Sequence, residues 1–388
     1  MELVSRARLI IVSGIGWMFD AMEILILSYI LAYLGQLLGW GPAERSIVIL
    51  ANNLGLLVGA TLFGYLADLY GRKKIFIATL LIYSIMAPLQ GFIKNHYDLA
   101  AVRFIMGLGL GGELPVASTM VSELSKPLER GRNVVLLESF WAYGTILAAA
   151  ISAFLIPRIG YTTAMILLSL TALYAAILRT GLPEPMASDS GKRVSLAELL
   201  SRNRRIVLIS WISWFSIAFG YYGAFFWLPT ILSGKGLTLI RSLEYAFYMA
   251  LAQIPGYFSA ALLVETIGRR PTFIAYMALS GLSAIGFAYS RTPVDIMIWG
   301  TMLNFFNLGA WGIIYAYTPE LFREGYRATG VGSSGSIARI GMIMGPMIPA
   351  IQSFETALAI YSATWILGSL AVLAAPETRP REAVARAA

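Results

Sequence analysis

Twelve mostly apolar stretches, each of about 20 residues or more, follow one another along the 388-residue chain, and a run of that length spans a ~30 Å hydrocarbon core as a helix. They lie near residues 9–35, 45–67, 75–93, 98–121, 133–156, 160–182, 205–232, 243–264, 271–289, 293–317, 328–351 and 354–375. No other feature restricts the fold as much. In hydrocarbon every backbone N–H and C=O must be satisfied internally, so such segments become helices packed on one another. Composition agrees: 58% of residues are hydrophobic and 13% charged, where soluble domains carry about 25% charged residues. The expected class is an all-α membrane protein of twelve transmembrane helices.

The net charge is +8, which in a soluble protein would suggest nucleic acid. The distribution of the basic residues argues otherwise. With both chain ends in the cytoplasm, 21 of the 29 Lys and Arg fall on the inner side and six on the outer, leaving Arg103 and Arg339 inside helices. That is the positive-inside rule, so the basic balance reports topology in the cell membrane and no nucleic-acid partner is expected. The first apolar run is too long and carries two acids, so it does not read as a cleaved signal peptide. There is no cysteine and one histidine, His96, expected to be solvated or packed in a short outer loop. No disulfide, metal or cofactor is expected, and with no HExxH or GxSxG pattern an enzyme is disfavoured.

The sequence also repeats itself. "DLYGRKK" (Asp68 to Lys74) follows the second apolar run and "ETIGRRP" (Glu265 to Pro271) the eighth. Asp68 and Glu265, Gly71 and Gly268, Arg72 and Arg269, Glu123 and Glu320, Lys126 and Arg323, Arg130 and Arg327 are all 197 residues apart. One offset for six pairs divides the chain into two six-helix units, 1–182 and 205–388, with a charged cytoplasmic linker, 183–204, whose middle is expected to be a short surface helix. Parallel duplication with a site between the halves is a transporter plan.

These residues carry a more specific likeness. "GYLADLYGRKK" (Gly64 to Lys74) resembles the signature loop of the major facilitator superfamily, and "RFIMGLGLGG" (Arg103 to Gly112) its fourth-helix motif. "GWMFDAMEI", "GGELPVASTMVSE", "LLESFWA", "YYGAFFWLP", "LAQIPGYFSA" and "FFNLGAWGIIYAYTPE" are similar to the niacin transporters of that superfamily, and more distantly to its synaptic-vesicle-protein and sugar-porter branches. The resemblance implies proton-coupled uptake of a small metabolite, nicotinate first, by a monomer with no cofactor. It leaves open another small organic ion, or a non-transporting binding protein of the same fold. The seventh run lacks glutamine, which the sugar porters carry there, so a hexose is disfavoured.

The residues can be assigned on chemistry. Asp68 with Arg72 and Arg130, and Glu265 with Arg269 and Arg327, offer carboxylate–guanidinium pairs at helix ends; with Glu123 and Glu320 they form the expected cytoplasmic gate. Within the apolar runs stand Asp20, Glu23, Glu113, Glu138, Arg103 and Arg339, and a charge at the bilayer centre costs about 2.5 to 3.5 kcal/mol on insertion scales. Four acids facing two bases favour protonation of at least one carboxylate. Asp20, Glu23 and Arg103 are the expected proton-coupling residues, Asp20 ahead of Glu23. Glu138, Trp141 and Thr145 share one helix face, as do Asn304, Asn307, Trp311 and Tyr315. With Tyr221 and Tyr222 they form an expected substrate wall for an aromatic ligand, to which Phe219 and Phe225 either contribute or belong as packing. Arg339 has no acid nearby in its own helix, so it awaits either an anionic ligand or Glu138 as a lock.

Overall fold

The computed structural model describes residues 2–70, 72–111, 136–168, 196–323 and 326–379. Among these residues the regular structure is helical. We label α1 Glu2–Leu38, α2 Pro42–Tyr70, α3 Arg72–Met86, α4 His96–Gly111, α5 Leu136–Ile159, α6 161–168, α7 Leu196–Phe225, α8 Leu239–Thr266, α9 Arg269–Tyr289, α10 Pro293–Leu321, α11 Arg327–Met344 and α12 Phe354–Val372. A short helix, Leu228–Gly234, extends α7. Seven described helices (α1, α5, α7, α8, α9, α10 and α12) are long and apolar enough to cross a membrane.

Local chemistry sets the boundaries. Thr292 and Asp295 close a capping box ahead of α10, with Pro293 in the first turn, where its missing N–H costs nothing. Ser353 caps α12 and Thr238 caps α8. Gly268 turns the chain between α8 and α9 at φ +119°, a region glycine enters without a Cβ clash. In α5 a π-helical turn, Ile151–Leu155, precedes Pro157, whose ring and absent N–H disrupt the regular ladder. Of the expected linker, 183–195 lies outside the described residues. Its remainder opens α7 and breaks at Asn203 (φ −133°, ψ 28°), and Leu199 there is buried with Val207 and Phe322.

Helix association rests on close backbone approach, as it must where lipid is as apolar as the side chains. Gly55 and Gly59 of α2 interlock with Gly107 and Gly111 of α4; a Cβ on Gly55 would sit 2.2 Å from the Phe104 carbonyl. In the α7–α11 seam, a Cβ on Gly345, at the end of α11, would sit 2.1 Å from the Phe219 carbonyl.

The packing recurs with the repeat. α1 packs on α5 and α7 on α11; α2 packs on α4 and α8 on α10; α3 packs on α4 and α9 on α10. Contacts between the two sets of helices include α5 with α8 and α2 with α11, which exchange under the same numbering. Between the two sets Ser28 Oγ donates to the Phe225 carbonyl (3.0 Å) and Gln36 Nε2 to Ser233 Oγ (2.9 Å), both pairs 197 residues apart.

Candidate functional site

Between these helices lies a cavity of about 250 Å³, small for a ligand site. α1 contributes Trp17, α5 Glu138 and Trp141, α7 Trp214, Tyr221 and Tyr222, α8 Tyr257, and α10 Trp311 and Tyr315. The α11 wall is Val331, Gly332, Gly335, Ala338, Arg339 and Met342. Its small residues explain why α11 is too polar to be among the seven apolar helices: one of its faces borders the cavity rather than lipid.

The rings hold one another in place. Trp141 Nε1 donates to the Tyr221 hydroxyl (2.7 Å) and Trp214 Nε1 to Thr318 Oγ1 (2.8 Å). Trp17 and Trp141 have centroids 5.3 Å apart, Trp214 and Tyr315 4.9 Å, and Tyr221 and Trp311 5.7 Å, distances at which aromatic pairs attract. The indole N–H groups of Trp17 and Trp311 are buried without a formed hydrogen bond. That of Trp311 is a spare donor beside the cavity, whereas that of Trp17 is turned toward Glu138.

Two charges face this aromatic wall. Glu138 is 3% exposed and Arg339 half-buried, and neither forms an ion pair among the described residues. The Trp17 indole N–H lies beside the Glu138 carboxylate. The hydroxyls of Tyr222 and Tyr315 lie within electrostatic reach of both charges, and that of Tyr257 within reach of Glu138. Glu138 and Arg339 therefore do not lock together in this conformation; each offers an unfilled valence to the cavity.

At one end the two sets of helices are hydrogen-bonded to each other. There, beyond Ser28–Phe225 and Gln36–Ser233, Arg45 Nη1 donates to Thr230 Oγ1 (3.1 Å), its Nε to the Trp40 carbonyl (2.9 Å), and Asn53 Nδ2 to the Met342 carbonyl (2.6 Å). His96 packs at this end on Trp40 and Tyr97, as expected of a loop-packed ring. The lining continues the other way along α11 to exposed Gly332, toward the end that carries Arg269 and Arg327.

Other expected residues fall elsewhere. Asn304 borders a small separate cavity with Phe225 and Gln253, accepting from Gln253 Nε2 (2.8 Å) and donating to the Gly300 carbonyl (2.8 Å). Asn307 is fully buried with both amide atoms unbonded and does not reach the main cavity. Phe219 is packing, stacked on Phe215 and edge-on to Tyr361. Asp20 and Glu23 are buried but outside the cavity lining. Arg103, fully buried, donates to the Glu23 carbonyl (2.8 Å), while its Nε and Nη2 and both Glu23 carboxylate oxygens are unbonded. The guanidinium thus sits by Glu23, the acid that sequence reasoning ranked second.

At the other end of the helices, Arg269 pairs with Glu265 (3.1 Å) and Glu320 (3.1 Å), joining α8, α9 and α10. Arg327 donates instead to the Pro319 carbonyl (2.8 Å), so the expected pairing with Glu265 goes to Arg269 alone. Glu113, Glu123, Arg130 and the side chains of Asp68 and Arg72 lie outside the described residues. Sequence reasoning did not single out Trp17, Trp214 and Tyr257. All three are large polar-tipped aromatics in apolar runs, a composition that favours internal walls over lipid.

Comparison with known proteins gives a consistent result. The family model described as Major Facilitator Superfamily matches residues 10–346. The chain is 46% identical over 353 residues to a NiaP protein of Bacillus subtilis (strain 168) named for niacin and nicotinamide transport, covering 89% of this chain and 88% of that one. It is 39% identical over 393 residues to the niacin transporter NiaP of Acinetobacter baylyi, covering 90% of each. The solved structure of the proton:xylose symporter XylE bound to 6-bromo-6-deoxy-D-glucose superposes with a TM-score of 0.76 over 98% of both chains at 14% identity, a likeness of fold.

Proposed function

The chain belongs to the Major Facilitator Superfamily and is a multi-pass membrane transporter rather than an enzyme, and from that premise we propose that it imports a small aromatic carboxylate, nicotinate, together with a proton. The observation that carries this reading is Arg339: a half-buried guanidinium without an ion pair among the described residues, in a cavity walled by indole and phenol rings. A buried cation without a counter-charge is costly, and a carboxylate fills that vacancy while its ring fills the aromatic space. Two relatives named for niacin support the choice of ligand.

The mechanism we assign is alternating access between two six-helix bundles, 1–182 and 205–388, twelve helices in all. Residues one repeat apart can touch only where a two-fold axis passes, and Ser28–Phe225 and Gln36–Ser233 supply such contacts. By the positive-inside rule the end carrying Arg269 and Arg327 is cytoplasmic, so the cavity opens inward and the Arg45–Thr230 side is the outer seal. At the inner end Arg269 with Glu265 and Glu320 ties the ends of α8, α9 and α10 together, and we assign this cluster, with Arg327, Asp68, Arg72, Glu123 and Arg130, to the inner gate when that side closes. Glu23, Asp20 and Arg103 serve proton coupling, and the carrier works as a monomer in the cell membrane.

Purified protein in proteoliposomes tests the reading. Labelled nicotinate is expected to accumulate against its gradient when the outside is acidic, and to stop accumulating when an ionophore collapses the pH difference. Binding without flux would make the protein a receptor of the same fold; neither binding nor flux would refute the substrate.

A further inference from the structure

We propose that Glu138 recognises the ring nitrogen of the substrate, so that the cavity selects a dipolar ring, with a carboxylate at Arg339 and a protonated or otherwise cationic aromatic nitrogen at Glu138. The inference rests on the uptake of an aromatic carboxylate proposed above and specifies which aromatic carboxylates fit.

Glu138 is 3% exposed, lines the cavity and has no ion pair among the described residues, as Arg339 has none. A ligand with only a carboxylate satisfies Arg339 and brings ionised Glu138 nothing but a second anion. Uncompensated buried charge is strongly unfavourable. A ring carrying N–H⁺ across from its carboxylate neutralises both residues at once. An ionised carboxylate is acceptor-only, so the partner of Glu138 must be a donor or a cation. The aromatic box stabilises a cationic ring as well, since the faces of Trp and Tyr attract positive charge.

The groups facing Glu138 leave that role open. α1 presents the Trp17 N–H, α7 Tyr222, α8 Tyr257, α10 Tyr315, and α11 Arg339. No second acid lines the cavity among the described residues. A proton balance follows. Nicotinate anion beside protonated Glu138 has the same composition as nicotinate zwitterion beside ionised Glu138, the proton lying on one side or the other of a single O···N hydrogen bond. Starting from ionised Glu138, binding of the anion takes up one proton in the cavity itself, separate from any that Glu23 or Asp20 carries.

Three probes decide the matter by calorimetry on the intact wild-type protein in detergent: nicotinate, benzoate, which lacks the nitrogen, and N-methylnicotinate, whose nitrogen carries a fixed charge. Nicotinate is expected to bind about ten- to a hundredfold tighter than benzoate, the range of one charge-assisted hydrogen bond. Heats measured in buffers of different ionisation enthalpy should report uptake of a proton with nicotinate and none with N-methylnicotinate. Glu138→Gln should bring nicotinate down to the benzoate level and leave benzoate no weaker. Equal affinity of nicotinate and benzoate for the wild type overturns the inference while keeping the carboxylate reading; so does an equal loss of both in Glu138→Gln. Failure of all three probes to bind overturns that reading and the inference with it. The wild-type comparison stands even if the variant does not fold.

Discussion

Replacing Arg339 with Gln separates recognition of the substrate's charge from everything else the cavity does. The side chain has no hydrogen bond or ion pair among the described residues, so its removal orphans no protein group, and loss of a half-buried unpaired cation relieves a desolvation cost. The variant is therefore expected to unfold at a temperature no lower than that of the wild type. Nicotinate loses its charge-assisted partner, a penalty of about 1.5 to 3 kcal/mol, or roughly 10- to 150-fold in affinity. Nicotinamide has the same shape and no charge, and should lose little. Titrations of both ligands into both proteins, with thermal unfolding as the control for folding, supply the numbers. An equal loss for acid and amide, or a large loss of stability in the variant, would refute the assignment of Arg339 to the ligand carboxylate.

Other substitutions probe the cycle. Glu23→Gln is expected to abolish proton-driven accumulation while leaving exchange of labelled nicotinate between two filled sides, because exchange does not require the empty carrier to reorient; if Asp20→Asn alone gives that phenotype, the role belongs to Asp20. Gly345→Val forces a side chain against the Phe219 carbonyl and should cost at least about 1 to 3 kcal/mol in thermal unfolding, the usual range for overpacking. Gly335→Leu, whose Cβ meets nothing within 4 Å, should unfold like the wild type yet transport more slowly, since that face must close against other helices when the inner end shuts. Arg45→Gln removes the bonds to Thr230 and Trp40 and should shift spin-label distances across the outer end toward longer values; an unchanged distribution would leave Arg45 no part in the seal.

The fold was legible because hydrocarbon imposes a simple rule on length and apolarity, and because one offset of 197 residues runs through the basic loops. The site was legible in part. Trp141, Tyr221, Tyr222, Trp311, Tyr315, Glu138 and Arg339 all meet at the cavity, since helical spacing identifies a face. It does not say how far along the face a cavity extends. Asn304 to Tyr315 spans eleven residues, about 16 Å of helix, and the main cavity reaches only the part with Trp311 and Tyr315; Asn304 meets Gln253 instead. Nor does spacing identify neighbours across the bundle. That Arg103 lies by Glu23 and that Arg269 takes both Glu265 and Glu320 depends on helix rotations that one sequence does not encode locally.

On the proposed mechanism, the acids that looked out of place in hydrocarbon fall into two groups that behave differently as the bundles move. Glu23 and Arg103 lie on α1 and α4, within the first sequence repeat, so their separation is carried along unchanged when the two units tilt. Glu138 lies on α5 and Arg339 on α11, one in each repeat, so the same tilt would change their separation. On the proposed mechanism this makes the cavity pair the element that reads occupancy. A dipolar ligand bridging Glu138 and Arg339 leaves no net charge as the cavity narrows, and an empty cavity can narrow by bringing the ionised pair directly together. An empty cavity with Glu138 protonated has a lone guanidinium to enclose, and a cavity holding the anion beside ionised Glu138 has an uncompensated carboxylate. Both closures bury unpaired charge at a cost of several kcal/mol. Symport requires that same asymmetry: the carrier moves when it holds both passengers or neither, and is held back when it holds one.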